Sequence, residues 1–200
     1  MRYGMVIDLK KCVGCNGCTL ACRAKNGTPV GIHYHRVEKR EVGKHPTARM
    51  EFRPIPCMHC EEPACLSVCP TGATYKRDDG LVLIDHNKCI GCRYCILACP
   101  YDVRQSLAKI ENYFGETVTP FEALKQPSFD KGTAVKCDFC VDRLEQGLLP
   151  ACVTTCPGQA RYFGDLDDPE AEVSVLIVRN RGTVLREELG TKPSVYYING

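Results

Sequence analysis

The chain has 200 residues, of which 26 are Lys or Arg and 24 are Asp or Glu, so its formal net charge is only +2. This balance produces no field that would recruit nucleic acid or an anionic membrane surface, and neither is expected as a partner. Sixteen residues are Cys, 6 are Phe and none is Trp, so we expect metal ligation to replace part of the usual apolar core, and the metal-free chain to fold poorly.

We expect no secretory signal at the start of the chain. The segment before Cys12 is too short for a charged region, an apolar region and a cleavage site. The apolar stretch 175–178 is far shorter than the roughly 20 residues that a membrane helix needs. We therefore expect a soluble chain with no membrane span, whose metal centres are assembled in the cytoplasm. Export to the outer face of the cell membrane would depend on a signal carried by a partner.

The cysteines fall into four groups of four, and none is left over. Group one is Cys12, Cys15, Cys18 and Cys22; group two is Cys57, Cys60, Cys65 and Cys69; group three is Cys89, Cys92, Cys95 and Cys99; group four is Cys137, Cys140, Cys152 and Cys156. Groups one and three have the C-x2-C-x2-C-x3-C spacing of bacterial ferredoxins. This pattern predicts four [4Fe–4S] clusters and hence electron transfer.

Clustered cysteines also occur in zinc sites, disulfide scaffolds and mixed metal sets, each of which fits this chain less well. Zinc prefers two C-x2-C pairs separated by a spacer, whereas groups one and three place cysteines at successive three-residue steps. A disulfide scaffold is typical of small secreted domains, and cysteines three residues apart rarely pair. A mixed set with one [3Fe–4S] cluster or one zinc would be indicated by a missing ligand, and no ligand is missing.

The chain also repeats itself. Residues 6–22 align without gaps on residues 83–99, with 10 of 17 positions identical and every ligand offset by 77 residues. Groups two and four correspond as well: Cys57–Cys60 matches Cys137–Cys140, and both copies continue through Pro-Ala-Cys to Cys-Pro-x-x-Ala. The pattern indicates duplication of an ancestral unit that carried two ligand motifs.

Each ligand run is expected to complete its neighbour's cluster. In ferredoxins three thiolates wrap one cubane and the fourth reaches the second. A hairpin signal joins groups two and three into one unit, and groups one and four then form another by elimination. Proline follows three of the four terminal cysteines, whereas Arg23 follows Cys22. The predicted sets are Cys12, Cys15, Cys18 and Cys156 for cluster A; Cys22, Cys137, Cys140 and Cys152 for cluster B; Cys57, Cys60, Cys65 and Cys99 for cluster C; and Cys69, Cys89, Cys92 and Cys95 for cluster D.

These sets define a predicted α+β fold of two bacterial-ferredoxin-like, two-cluster modules with short helices, short strands and long loops. The inner module is 57–100; the outer module is 1–56 with 101–200, and it includes a connector and an insertion at 104–134. Insertions of this length tend to be functional surfaces. The insertion therefore has two interpretations: it contacts a partner, or it is a surface elaboration without a binding role.

The segments between the ligands predict a few regular elements. Alternation over 37–42 indicates a strand, and Asp79-Gly80 indicates a hairpin between two short strands that follow Cys69. Aspartates before Pro169 predict a helix that begins at this proline and runs to about Arg179. Residues 194–198 are expected to form an edge strand.

Charged and histidine side chains near the ligands have two interpretations. His59 lies inside a ligand loop, where it would either donate a hydrogen bond to cluster sulfur or remain a solvated neighbour. Lys11, Lys88 and Arg93 lie beside ligands, and positive charge there would raise the reduction potential. There is no nucleotide-binding glycine loop, nucleophile–base pair or open metal position, so no catalytic residue is predicted and the chain alone is not expected to be an enzyme.

With these motifs the chain resembles the four-cluster iron–sulfur subunits of molybdopterin-dependent respiratory oxidoreductases, such as the polysulfide, thiosulfate, tetrathionate, arsenate and dimethyl sulfoxide reductases. The resemblance covers nearly the whole chain and is carried by residues 5–15, the turn of residues 63–73, residues 143–152, residues 163–169 and residues 189–193. In some relatives the position matching Cys92 is not cysteine and that cluster is [3Fe–4S]; here the cysteine is present.

The resemblance implies a subunit that transfers electrons from one partner to another, the two being a quinone-linked membrane component and a large catalytic subunit with a molybdenum or tungsten pterin centre. It implies that the outer module faces the catalytic subunit and the inner module the membrane side. Because no membrane helix follows the last ligands, docking would use a separate membrane anchor subunit or carrier. The alternative is a free-standing polyferredoxin that carries electrons by diffusion.

Overall fold

The protein is described by a computed structural model that covers all 200 residues. Its β-strands are β1 (Tyr3–Asp8), β2 (Arg36–Val42), β3 (Arg49–Ile55), β4 (Thr74–Lys76), β5 (Val82–Ile84), β6 (Arg104–Ser106), β7 (Ala134–Lys136), β8 (Arg161–Asp165) and β9 (Val195–Ile198). Its α-helices are α1 (Gly17–Asn26), α2 (Ala64–Ser67), α3 (Tyr94–Leu97), α4 (Pro120–Lys125), α5 (Val141–Leu144), α6 (Ala151–Thr154) and α7 (Glu172–Arg179). Short 3₁₀ helices cover Gln126–Ser128 and Glu187–Leu189. No helix has both the length and the apolar character needed to cross a membrane.

A three-stranded sheet joins the two ends of the chain. Strand β1 lies at its centre, antiparallel to β8 on one side and parallel to β9 on the other. Met5, Val6 and Ile7 on β1 are fully buried. The predicted edge strand at 194–198 is confirmed as β9. Strand β1 leads directly into the first ligand loop, so this sheet holds group one against the C-terminal part of the chain.

The remaining strands form three two-stranded antiparallel sheets. The predicted strand over 37–42 is confirmed as β2, which pairs with β3 from Arg36 opposite Ile55. The predicted hairpin is confirmed as β4 and β5, with Thr74 opposite Ile84. Strands β6 and β7 pair at the two ends of the 104–134 insertion, which closes it into a loop on the body of the protein.

The start of helix α7 corrects the sequence prediction. The helix begins at Glu172 and not at Pro169. Asp168 forms a turn, because its side chain accepts a hydrogen bond from the Glu170 N–H at 2.9 Å and its carbonyl oxygen accepts one from Ala171 at 3.2 Å. The predicted end at Arg179 agrees with the structure.

One main core cluster of 15 buried residues runs through the molecule, and four of its members are cysteines: Cys18, Cys57, Cys137 and Cys152. It combines residues of β1, of the β4–β5 hairpin and of β9. Apolar side chains and ligand cysteines therefore share one interior. The division into an outer and an inner module stays a prediction about which cysteines bind which cluster.

Glycines shape the two ferredoxin-type ligand loops. Gly14 and Gly91 occupy equivalent positions of the repeat and have φ of 66° and 70°. A Cβ at Gly91 would lie 2.1 Å from the carbonyl oxygen of Gly132, whereas a Cβ at Gly14 would meet the ring of Phe52. A side chain at Gly91 therefore requires the backbone to move.

We predict that Gly91→Ala disrupts the site formed by group three and lowers the iron and acid-labile sulfide content by about a quarter. The matched control is Gly72→Ala near Cys69, where φ is 65° but nothing lies within 4 Å of the added carbon. This control carries only the backbone strain of a left-handed residue, roughly 1–2 kcal/mol, and should keep its iron. Equal iron contents in the two variants would contradict the steric argument.

Candidate metal centres

Three cavities are each lined by four cysteines. The first contains Cys12, Cys15, Cys18 and Cys156; the second Cys57, Cys60, Cys65 and Cys99; the third Cys69, Cys89, Cys92 and Cys95. The structure thus brings together the residues of predicted sets A, C and D. No three His, Cys, Asp or Glu side chains converge in the way that a single metal ion requires, and all 16 cysteines are free thiols.

The residues of set B also lie together. Cys22, Cys137, Cys140 and Cys152 are all buried. Burial and then the neighbouring thiols of Cys152 and Cys140 raise the pKa of Cys22 to about 12. Burial and then Cys22 raise the pKa of Cys137. The terminal cysteine of group one is therefore close to the cysteines of group four, although Arg23 replaces the proline that follows the other terminal cysteines.

Backbone N–H groups point at several of the sulfur atoms. Thr74 N–H donates to Cys69 Sγ, Ala160 N–H to Cys156 Sγ and Ala134 N–H to Cys89 Sγ, each at 3.4 Å. At Cys69, burial alone would raise the pKa of the thiol, but hydrogen bonds from Thr74, Thr71 and Ala73 outweigh it and lower the pKa. Donors of this kind favour the thiolate, which is the form that binds metal.

At other ligands burial acts in the opposite direction and raises the pKa of the thiol. Burial raises the pKa of Cys60 to about 12 and that of Cys140 to about 11. Four crowded, buried thiolates would repel one another, so deprotonation depends on bound cations. Iron ligation supplies those cations, and the free energy of binding then contributes to folding.

Arg161 is a buried guanidinium between sets A and B. It is 4% exposed. Its Nη1 lies 3.7 Å from Cys152 Sγ and 3.3 Å from Met5 Sδ, and its Nη2 is hydrogen-bonded to His35 Nε2. Arg161 also lines the cavity of set A. No carboxylate is among its hydrogen-bonded partners.

Arg104 has the same relation to sets C and D. It is 2% exposed, and its Nη1 donates to Thr74 Oγ1 at 3.1 Å while its Nη2 has no partner. Burial alone would lower the pKa of Arg104, but the thiols of Cys65, Cys57 and Cys95 raise it. A buried cation without a carboxylate is costly, by several kcal/mol in order of magnitude. An iron–sulfur cluster with four thiolates is an anion, so the residues present fit such a group.

His59 corrects both sequence interpretations, since it neither points at a ligand sulfur nor contacts solvent. Its Nδ1 accepts from the Val82 N–H at 3.1 Å, so its Nε2 carries the proton and donates to the Cys137 carbonyl oxygen, 3.2 Å away. Its ring stacks on Phe139 with centroids 3.9 Å apart. Burial holds the pKa of His59 well below its usual value. Phe139 occupies the equivalent position in the other copy, so the two loops meet through matching residues.

The cations chosen from sequence proximity lie at the surface. Lys11, Lys88 and Arg93 are exposed, and Lys11 bonds to the Tyr162 hydroxyl. Solvent screens these charges, whereas the buried guanidinium groups are screened much less. Arg104 and Arg161 were missed because each lies five residues after a terminal cysteine and outside any ligand motif; a basic residue at that spacing after Cys-Pro is the signal that identifies them.

Four sets of four converging thiols define a protein of the multi-cluster iron–sulfur class. Family models described as 4Fe-4S dicluster domains match residues 11–73, 48–115 and 115–166. The matched domains and the 16 cysteines support four [4Fe–4S] clusters.

The chain is similar to named reductase subunits over nearly its whole length. It is 48% identical to the B subunit of the selenate reductase of Mesobacillus selenatarsenatis, with 99% of this chain and 72% of the relative covered. It is 42% identical to the iron–sulfur subunit of the arsenate respiratory reductase of Shewanella sp. strain ANA-3, covering 99% and 96%. It is 40% identical to the B subunit of the tetrathionate reductase of Salmonella typhimurium, covering 98% and 72%. The chain belongs to this family of reductase iron–sulfur subunits, and the predicted resemblance is confirmed.

We predict that anaerobically purified protein contains close to sixteen iron and sixteen sulfide atoms per chain, and that removal of iron by a chelator unfolds it. Loss of the clusters removes the anions beside the buried arginines and the metal ions that hold the crowded sulfur ligands together. The measurements are iron and sulfide assays with far-UV circular dichroism before and after chelation. A native spectrum retained after complete iron loss would show that apolar packing alone holds the fold.

Proposed function

We propose that this chain is the electron-transfer subunit of a respiratory oxidoreductase and is not itself catalytic. It would relay electrons between a molybdopterin catalytic subunit, with molybdenum or tungsten, and a quinone-linked membrane component. The clusters would supply one-electron transfer steps, and the polypeptide would hold them in a fixed spatial order. The single observation that carries the proposal is the lining of each cavity by one complete cysteine set.

The ligand sets of the proposal are A, B, C and D as predicted from the spacing, within an α+β fold of two ferredoxin-like modules. The outer module, 1–56 with 101–200, holds sets A and B, and the inner module, 57–100, holds sets C and D. Support comes from the cavity linings for A, C and D and from the mutual effects of the four thiols for B.

Neighbouring thiols from different sets support the order A–B–C–D. Cys18 of set A is close enough to Cys152 of set B to raise its pKa, although burial contributes more. After burial and closer neighbours, Cys57 of set C acts in the same direction on Cys137 of set B. Arg104 then connects Cys65 of set C to Cys95 of set D.

Sets A and D, at the two ends of this proposed order of clusters, are the ones that reach the protein surface. Among the 16 cysteines only Cys15 of set A and Cys92 of set D are exposed. Equivalent pairs of apolar residues flank these two cysteines in the sequence: Val13 and Leu20 are 65% and 63% exposed, and Ile90 and Leu97 are 68% and 83% exposed. Exposed apolar residues grouped at an electron entry or exit point favour partner contact over solvent.

Each end is assigned to one partner. We place the catalytic subunit at the end of set A and the membrane component, or a carrier that replaces it, at the end of set D. This assignment rests on the family, whose named members are iron–sulfur or B subunits of selenate, arsenate and tetrathionate reductases. Two equivalent apolar surfaces support a subunit with two fixed partners over a freely diffusing polyferredoxin.

We predict that the chain co-migrates with a large molybdenum- or tungsten-containing subunit on size exclusion of a native, anaerobic extract. Leu20→Glu should abolish this co-migration, because it places a charge in the apolar surface beside set A. Leu97→Glu, its equivalent beside set D, is the matched control and should keep the catalytic subunit while blocking electron exchange with quinone. Elution of the wild type near 22.2 kDa would instead identify a free carrier.

We also predict that Cys92→Ser converts or removes one cluster while three persist. Cys92 is exposed and belongs to set D alone, so its loss leaves the other twelve ligands, those of sets A, B and C, intact. Quantified EPR of the reduced protein measures the effect. Disappearance of all four signals would contradict independent ligand sets.

A further inference from the structure

The two buried arginines occupy equivalent places in the chain. Arg104 lies five residues after Cys99, and Arg161 lies five residues after Cys156. The same position after Cys69 is Thr74, and after Cys22 it is Gly27. Each pair of ligand sets therefore contains one arginine, although four positions were available.

Each arginine lies next to both ligand sets of its module. Arg161 lines the cavity of set A and approaches Cys152 of set B at 3.7 Å. Arg104 lines the cavity of set C, and its Nη1 donates to the hydroxyl of Thr74, a residue that lines the cavity of set D. One guanidinium thus lies between two clusters in each module.

Neither charge is neutralised by the protein. The partners of Arg161 are His35, Met5 and Cys152, whereas Arg104 has Thr74 as its partner and its Nη2 is unpaired. Lys136 is buried as well, but its ammonium is held by the carbonyl oxygens of Val82 and Cys137. The unpaired donor of Arg104 and the absence of carboxylates indicate that the counterions are the clusters themselves.

Reduction adds one electron to a cluster and makes no bond. The added negative charge strengthens attraction to a nearby cation, so a buried guanidinium stabilises the reduced form more than the oxidised form. We infer that Arg104 is the shared countercharge that raises the reduction potentials of clusters C and D, and that Arg161 has the same role for clusters A and B. This inference rests on the ligand sets proposed above.

The test is a redox titration of the full, cluster-loaded chain, with dithionite as the electron donor and EPR as the readout. Arg104→Gln should lower the ratio of reduced to oxidised cluster at a fixed potential at least about tenfold, which corresponds to about 59 mV for a one-electron couple. Two of the four clusters should shift, and one of them should be the cluster that Cys92→Ser alters. Arg161→Gln should shift the other two.

Two control variants are needed. One tests whether the charge of Arg104 or the shape of its side chain matters, and the other tests whether a nearby but exposed cation has the same effect as a buried one. Arg104→Lys keeps the charge and should stay within about threefold of the wild type. Arg93→Gln removes a cation beside set D that solvent screens, and it should change the ratio less than about twofold. If Arg104→Gln loses clusters that Arg104→Lys retains, the requirement for charge is likewise supported.

The remaining outcomes distinguish the two proposals. Unchanged ratios in Arg104→Gln, or equal shifts or equal cluster loss in Arg104→Gln and Arg104→Lys, would overturn the role of the charge. A clear shift that excludes the cluster altered by Cys92→Ser, or that affects all four equally, would overturn both the sharing and the ligand sets on which it rests.

Discussion

The structure depends above all on the convergence of four thiols around each of three cavities. Without bound cations the arrangement is unfavourable, because burial raises the pKa of residues such as Cys22 and Cys60 to about 12 and keeps them protonated. Iron converts the same crowding into a stabilising interaction by taking up the sulfur lone pairs and releasing protons. The cysteines are at once core residues and ligands, since four of them belong to the main apolar cluster. We therefore expect folding and cofactor assembly to be coupled in this chain.

The internal repeat shapes the junction between the modules as well as the ligands. His59 and Phe139 are equivalent residues, and they stack on each other between set C and set B. Hydrogen bonds fix the histidine on both sides, from Val82 and to Cys137, so the loops hold a defined separation. Duplication thus produced a self-complementary contact at the place where the proposed wire crosses from one half to the other. The same repeat leaves matching apolar pairs, Val13 with Leu20 and Ile90 with Leu97, at its two ends.

Much of this could be predicted from the sequence because ligand spacing is a local property. The cysteine sets and the β4–β5 hairpin follow from short motifs, and the structure groups the thiols accordingly. Features that depend on distant contacts could not be predicted in this way. His59 was expected near sulfur or water, but tertiary packing buries it against Phe139. Helix α7 begins at Glu172 because Asp168 uses its side chain in a turn, a choice that the Asp-Pro signal does not reveal. Arg104 and Arg161 lie outside the ligand motifs, and their spacing after Cys-Pro does not reveal that the fold buries them.

The central sheet imposes an order on biosynthesis. Strand β1 finds no partner among the residues near it in sequence: it pairs with β8 and β9, which both follow the last ligand, Cys156, along the chain. The loop that contains Cys12, Cys15 and Cys18 consequently stays open during translation, while the stretch from Cys57 to Cys99 emerges as one continuous segment. The second segment can therefore be completed earlier in translation than the first, whose sheet requires both β8 and β9.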